Sequence, residues 1–177
     1  MIVGIVAAKA NSTRFPGKNE FQLDGEPLFW HSVKPLLGSS KIDKVYVATD
    51  SGSIKKYCED RNVSVIWRPK NATVDEDPLL QILKFVYYNL DIPYDMVVTI
   101  MANCPGHTTA SVNKAIEMME TGHFWEVRSF NSRNEEAGLM IYNKEVITKK
   151  FQVSSYIGAI QTEVNEIHHK EDINGNN

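Results

Sequence analysis

The sequence predicts an α/β fold in three layers, with a mostly parallel central sheet and a mixed second half. Three observations carry this. Residues 1–8 are continuously apolar apart from Gly4, as in a strand covered on both faces. Three further β-branched runs follow at residues 44–49 (KVYVAT), 63–67 (VSVIW) and 96–101 (MVVTIM). Helical windows separate them, and strand-helix units in succession mean parallel strands with helices on both faces.

The elements follow in order. A first helix is predicted over residues 27–37, with Pro35 kinking it or ending it early. In the second, Ile54, Tyr57 and Cys58 share a face. Asp77 is the expected cap of the third, with Pro78 at its first position and Leu79, Ile82, Leu83, Val86, Tyr87 and Leu90 as its stripe. The fourth starts near Thr108, buries Val112, Ala115, Ile116 and Met119, and stops at Gly122. Beyond it, residues 124–130, 137–142 and 156–161 read as strands with short connections. A nucleotide-binding half of about 1–122 and a smaller mixed half of about 123–173 then make one domain over residues 1–177.

Composition excludes several classes. Nineteen Lys and Arg against twenty-two Asp and Glu give a formal charge of −3, which argues against general nucleic-acid binding. No apolar run reaches the length of a membrane span, and the N-terminal segment lacks the basic lead of a secretory signal. Two cysteines make no disulfide framework. A cytoplasmic protein that binds neither nucleic acid nor membrane is expected.

In parallel sheets ligands bind outside the carboxyl ends of the strands, here after Ala8, Thr49, Trp67 and Met101. The loop after the first strand, KANSTRFPGKN, carries Lys9, Arg14 and Lys18, the polar Asn11, Ser12, Thr13 and Asn19, and Gly17. Cations, donors and a glycine at a strand end suit a triphosphate. It is neither a Walker A loop nor a dinucleotide G-x-G-x-x-G motif.

This stretch, AKANSTRFPGKN, resembles the A-R-x-x-S-x-R-x-P-x-K-N signature that opens the CMP-sugar synthetases, the acylneuraminate and Kdo cytidylyltransferases. Ser12, Arg14, Pro16, Lys18 and Asn19 match without a gap. Weaker matches follow at residues 48–50 (ATD), at Arg68 and Pro69, at Asp75, at the turn of residues 105–108, at Gly138 and at the late EIHHKEDI element. The resemblance implies a Rossmann-like nucleotidyltransferase fold and attack of a sugar hydroxyl on the α-phosphorus of CTP. Magnesium, or manganese, would assist, and pyrophosphate would leave. It implies Lys18 and Arg14 as catalytic phosphate-binding groups. Ser12 and Lys9 would add phosphate contacts, with Asn11 in the same loop. Asn19, Arg68 and Asn103 would line the nucleotide site, and Glu166 and His168 would hold the metal.

The chain departs from the pattern at several points. Lys9 stands for the first arginine, Met101 for a strand-end glutamine, Asn103 for a metal-binding aspartate, and Glu166-Ile167-His168 for D-x-D. Only SFNSRNEE separates Arg128 from Ala137, where the family carries a dimerisation arm that contributes to the sugar pocket. A short, divergent member is expected, either monomeric or dimeric through another surface. An acidic sugar of eight or nine carbons is the expected acceptor. The alternatives are a degenerate member that binds a nucleotide or sugar-nucleotide without turnover, or a nucleotidyltransferase for another base.

Other groupings read as structural. Cys104 and His107 are expected to be a buried thiol beside a helix-start histidine. Asp50 is expected to cap the second helix, and Trp30, Trp67 and Trp125 to be core or half-buried.

Overall fold

The computed structural model describes residues 1–12, 15–68, 78–89, 94–148 and 156–175. Four strands run parallel: β1 (Ile2–Ala8) lies between β4 (Lys44–Thr49) and β6 (Met96–Ile100), and β5 (Ser64–Trp67) flanks β4. A two-residue hairpin, β2 (Gln22–Leu23) and β3 (Glu26–Pro27), stands apart from them. Beyond β6, β8 (Glu136–Asn143) pairs antiparallel with β6 and with β7 (Glu126–Phe130). The last strand, β9 (Ile157–Gln161), runs parallel to β7, so the sheet order is β5-β4-β1-β6-β8-β7-β9 and its second half is mixed.

Among the described residues five α-helices cover the sheet: α1 (Leu28–Leu37), α2 (Gly52–Glu59), α3 (Pro78–Asn89), α4 (Thr109–Gly122) and α5 (Lys144–Thr148). Alternation along β1 divides the core. Val6 and Ala8 pack with Val33 of α1, Ile54 of α2 and Val112 and Ile116 of α4. Val3 and Ile5 face the other way, onto Leu83 and Val86 of α3 and Ile147 of α5. Helices therefore lie on both faces, as the apolar runs predict.

Local chemistry sets the helix ends, with some differences from the sequence reading. Pro35 falls in the last turn of α1, where the helix is about to end, so α1 continues to Leu37. The residue in left-handed conformation after α4 is His123 (φ 54°), while Gly122 is still helical. Ser51, not Asp50, caps α2, its Oγ accepting the Ile54 N–H at 3.3 Å. Trp30 is buried and Trp125 is 39% exposed, but Trp67 is 53% exposed at the end of edge strand β5. Asp75, Asp77, Pro69 and Leu90 lie outside the described residues. Among the described residues no helix is long and apolar enough to cross a membrane.

The chain leaves β1 toward β4 and β5, then returns to the other side of β1 to form β6. This reversal of strand order puts a topological switch point at the carboxyl ends of β1 and β6, the usual place for a ligand in such sheets.

Candidate active site

The loop after β1 is fastened from three sides. The Ala10 N–H donates to Asp50 Oδ1 at 2.7 Å, at the end of β4. Buried Asn19 donates from Nδ2 to the Lys9 carbonyl at 2.9 Å, closing the loop on itself. Glu20 accepts the hydroxyls of Ser51 and Ser53, both at 2.7 Å. Between these ties, Gly17 adopts φ 69°, a left-handed conformation that turns the chain into the short 3-10 turn Lys18–Glu20. Lys9 and Asn11 are exposed and Ser12 is half-buried on the open side. Arg14 and Thr13 lie outside the described residues.

Arg68, at the end of β5, is 5% exposed and sets its Nη2 3.7 Å from Asp50 Oδ1. Burial pulls the guanidinium pKa below its ordinary value, and the Asp50 carboxylate opposes that. Its Nε is buried without a hydrogen-bond partner. Arg68 and Asp50 thus stand behind the loop, and one carboxylate oxygen serves both the cation and the Ala10 amide.

The decisive contacts come from far along the chain. Lys18 Nζ donates to the Ile167 carbonyl at 3.1 Å. Asn103, 7% exposed in the turn after β6, donates from Nδ2 to the same carbonyl at 3.1 Å, and its own carbonyl accepts the Ile167 N–H at 2.8 Å. Its Nδ2 also lies 3.4 Å from Glu166 Oε2. Glu166 Oε2 in turn lies 3.0 Å from His168 Nε2. The loop after β1, the turn after β6 and residues 166–168 therefore meet at one backbone carbonyl, and Ile167, 0% exposed, anchors the segment below it.

The turn after β6 is held from beneath. Ser32 Oγ donates to the Met101 carbonyl at 2.9 Å, and the Met101 N–H donates to the Gly138 carbonyl at 2.8 Å. Gly138 has φ 80°, and a side chain there would meet Cys104 Sγ. Met101 packs against both core clusters, so it fills space and offers no hydrogen bond to a ligand. Cys104 is fully buried, and burial first, then Glu166, pushes its thiol well above the ordinary pKa. His107 donates from Nε2 to the Ala137 carbonyl at 2.6 Å, and burial lowers its pKa. Both are structural groups, not a nucleophile and its base.

Among the described residues no three His, Cys, Asp or Glu groups could hold a metal ion. Glu166 and His168 converge, with one carboxylate and one imidazole between them. Such a set does not form a resident metal site, but it fits a divalent ion that brings further oxygen ligands with it, as magnesium does on a triphosphate.

Sequence reasoning missed the Ile167 carbonyl, because a backbone atom carries no residue-type signal. It also missed Asp50 as a tie for the loop, although the ATD match lay at that position.

Comparison with known proteins follows the same outline. The family model described as Cytidylyltransferase matches residues 3–163. The CMP-N,N'-diacetyllegionaminic acid synthase of Legionella pneumophila is 29% identical over 121 residues, covering 66% of this chain and 52% of that protein. The 3-deoxy-manno-octulosonate cytidylyltransferase of Bdellovibrio bacteriovorus is 34% identical over 104 residues, covering 59% of this chain and 40% of that protein. The chain thus spans about half or less of the curated relatives it matches. The solved structure of CMP:2-keto-3-deoxy-manno-octonic acid synthetase complexed with CTP superposes with a TM-score of 0.81 at 13% identity, covering 98% of this chain and 95% of that one. That likeness is one of fold.

Proposed function

The chain belongs to the cytidylyltransferase family, and on that footing we propose that it transfers CMP from CTP to a sugar acid and releases pyrophosphate. The observation that carries this reading is the meeting of Lys18, Asn103, Glu166 and His168 around the Ile167 carbonyl, beside the cationic loop after β1.

Displacement at a triphosphate needs positioning and charge neutralisation rather than a covalent nucleophile. Lys18 supplies a cation. Its ammonium donates to the Ile167 carbonyl, and a charged phosphate oxygen is a stronger acceptor than a neutral carbonyl, since charged hydrogen bonds are about twice as strong as neutral ones. Exposed Lys9 and Asn11 and half-buried Ser12 on the same loop complete the phosphate cradle. Asn19, Asp50 and Arg68 hold the loop in shape from behind.

The acceptor hydroxyl oxygen bonds to the α-phosphorus. The bond from that phosphorus to the bridging oxygen breaks, and its electron pair leaves with pyrophosphate. The hydroxyl proton passes to His168, which Glu166 orients. Glu166 would hold a magnesium or manganese ion, which would supply charge neutralisation to the triphosphate.

The test is pyrophosphate release with CTP, UTP, ATP or GTP, each with magnesium or manganese and a panel of sugar acids. Release with CTP and a sugar acid only is expected. Failure of every nucleotide to bind with either metal, by calorimetry, would overturn the reading.

A further inference from the structure

We infer that the cavity between α1 and the N-terminus of α4 binds a hydrogen phosphate group, with His107 accepting the ligand's hydroxyl hydrogen and Lys34 and the first turn of α4 holding its oxygens. The inference goes beyond the transferase reading and does not depend on it. Among the described residues, none placed in the nucleotide site lines this cavity.

The cavity encloses about 310 Å³. His31 and Lys34 of α1 line one side, and residues 106–109, which lead into α4, line the other. Two side-chain bonds fix α1 against that second side. Thr109 Oγ1 donates to the Pro35 carbonyl at 3.3 Å, and Ser32 Oγ donates to the Met101 carbonyl at 2.9 Å.

His107 is the residue that points to a ligand. It is 5% exposed, and its Nε2 lies 2.6 Å from the Ala137 carbonyl. A carbonyl only accepts, so Nε2 carries the ring hydrogen. Burial lowers the pKa of the imidazole, which keeps the ring neutral and leaves a lone pair on Nδ1. That nitrogen is buried and has no hydrogen-bond partner among the described residues. A buried acceptor without a donor is costly, and a ligand hydroxyl in the cavity that the ring lines would supply one.

The rest of the lining selects an anion. Lys34 is there, and no carboxylate among the described residues lines the cavity. The pair of Lys34 with Glu26 is partly exposed, and such pairs exchange readily for a better partner. The capping box of α4 occupies the N–H groups of Thr108 and Ser111. It leaves those of Thr109 and Ala110, which have no partner within the helix, at the positive end of the helix dipole. Hydrogen phosphate, free or as the end of a diphosphate, combines anionic oxygens with one hydroxyl at neutral pH. Sulfate has the same shape but no hydrogen to give to Nδ1, and neither has a carboxylate.

The experiment titrates the full chain, labelled with nitrogen-15, with inorganic phosphate, pyrophosphate or sulfate at neutral pH. NMR follows the backbone amides of Thr109 and Ala110 and the ring nitrogens of His107. Lys34→Ala is titrated alongside; Lys34 is exposed, so this variant should melt with the wild type. Phosphate or pyrophosphate is expected to shift both amides and the Nδ1 resonance, with sulfate at least about tenfold weaker there and Lys34→Ala weakening the phosphate response about tenfold. The tighter of the two phosphates names the occupant, and either sustains the site. Sulfate binding as tightly as phosphate would overturn the role given to His107 and with it the inference. Shifts confined to the loop after β1, or a Lys34→Ala response equal to that of the wild type, would overturn it as well.

Discussion

Replacing Asn103 by Asp tests the meeting point of the site without assuming what it binds. The amide donates to the Ile167 carbonyl at 3.1 Å and lies 3.4 Å from Glu166 Oε2. Asn103→Ala removes these donors, but Ile167 keeps its N–H bond to the residue-103 carbonyl, and its own carbonyl keeps Lys18. One neutral and one long charged hydrogen bond are lost, worth about 1–2 kcal/mol together. Asn103→Asp does more, because it sets a carboxylate against Glu166. Two charges about 4 Å apart repel by roughly 4 kcal/mol at an effective dielectric constant near 20. Relaxation and solvent reduce this, leaving about 2–4 kcal/mol, or a fall in melting temperature of roughly 5–15 °C. The pair can escape by taking up a proton, which raises a carboxyl pKa, so the deficit should shrink as pH falls. It can also escape by binding a cation, because the variant holds two carboxylates and an imidazole. Thermal unfolding at pH 8 with chelator, and again with millimolar manganese, decides the matter. Asn103→Asp should recover most of its loss with the metal, and Asn103→Ala none. Equal losses in both variants, indifferent to metal and pH, would show that residue 103 does not face Glu166.

Three further outcomes follow from the same contacts. Lys18→Ala should weaken CTP binding by about tenfold to a hundredfold, the worth of a charged hydrogen bond. It should lower the melting temperature by no more than about 3 °C; unchanged calorimetric affinity would remove Lys18 from the phosphate site. Gly138→Ala should cost roughly 2–5 kcal/mol, because φ 80° is left-handed and the new Cβ meets Cys104 Sγ. Combining it with Cys104→Ala should show a favourable coupling of about 1 kcal/mol or more in urea unfolding, and additive losses would refute the contact. Burial lowers the pKa of His107 below the ordinary imidazole value of about 6.5, so its contribution to stability is present above that pH. The unfolded chain takes up the proton first as pH falls, and unfolding free energy should decline from about pH 7 downward. Urea midpoints of His107→Gln, which keeps a donor for the Ala137 carbonyl, should lack that slope between pH 7.5 and 5.5.

The parts of the molecule legible in the sequence are those set by local pattern. The uninterrupted apolar run of β1 gave away a strand covered on both faces, and the stripe of Val112, Ala115, Ile116 and Met119 marked the buried face of α4. Cap assignment was harder, since Asp50 and Ser51 both suit a helix start. Tertiary demand separated them: Asp50 is engaged by Ala10 and Arg68, leaving Ser51 to cap. Trp67 was misread because a large apolar residue closing a strand is core in a central strand and exposed in an edge strand, and strand order is not written in one strand's residues. The shortness of the β7–β8 connection was legible, but not that its five residues, 131–135, are internally bonded through Asn131 and form one wall of a cavity.

The site itself explains why pattern reading stops short. Lys18 and Ile167 are 149 residues apart, and Asn103 and Ile167 are 64 apart. The feature that unites them is a carbonyl that any residue could present. What a residue type does determine there is the anchor: Ile167 is fully buried, and an apolar side chain at that position fixes its carbonyl in place. Glu166 and His168, on either side of Ile167, are held by the same anchor, because a segment pinned by its central residue carries both neighbours with it. Burial of one isoleucine thereby positions a carboxylate and an imidazole on either side of the carbonyl that a lysine from the opposite end of the chain meets. Weakening that burial should therefore loosen all three groups together, which distinguishes a common anchor from three independent contacts. Ile167→Ala would remove buried apolar contact worth about 2–5 kcal/mol, and nucleotide affinity should fall with it, as in Lys18→Ala. A variant that lost the stability but bound CTP like the wild type would show that the phosphate side is organised without the C-terminal segment.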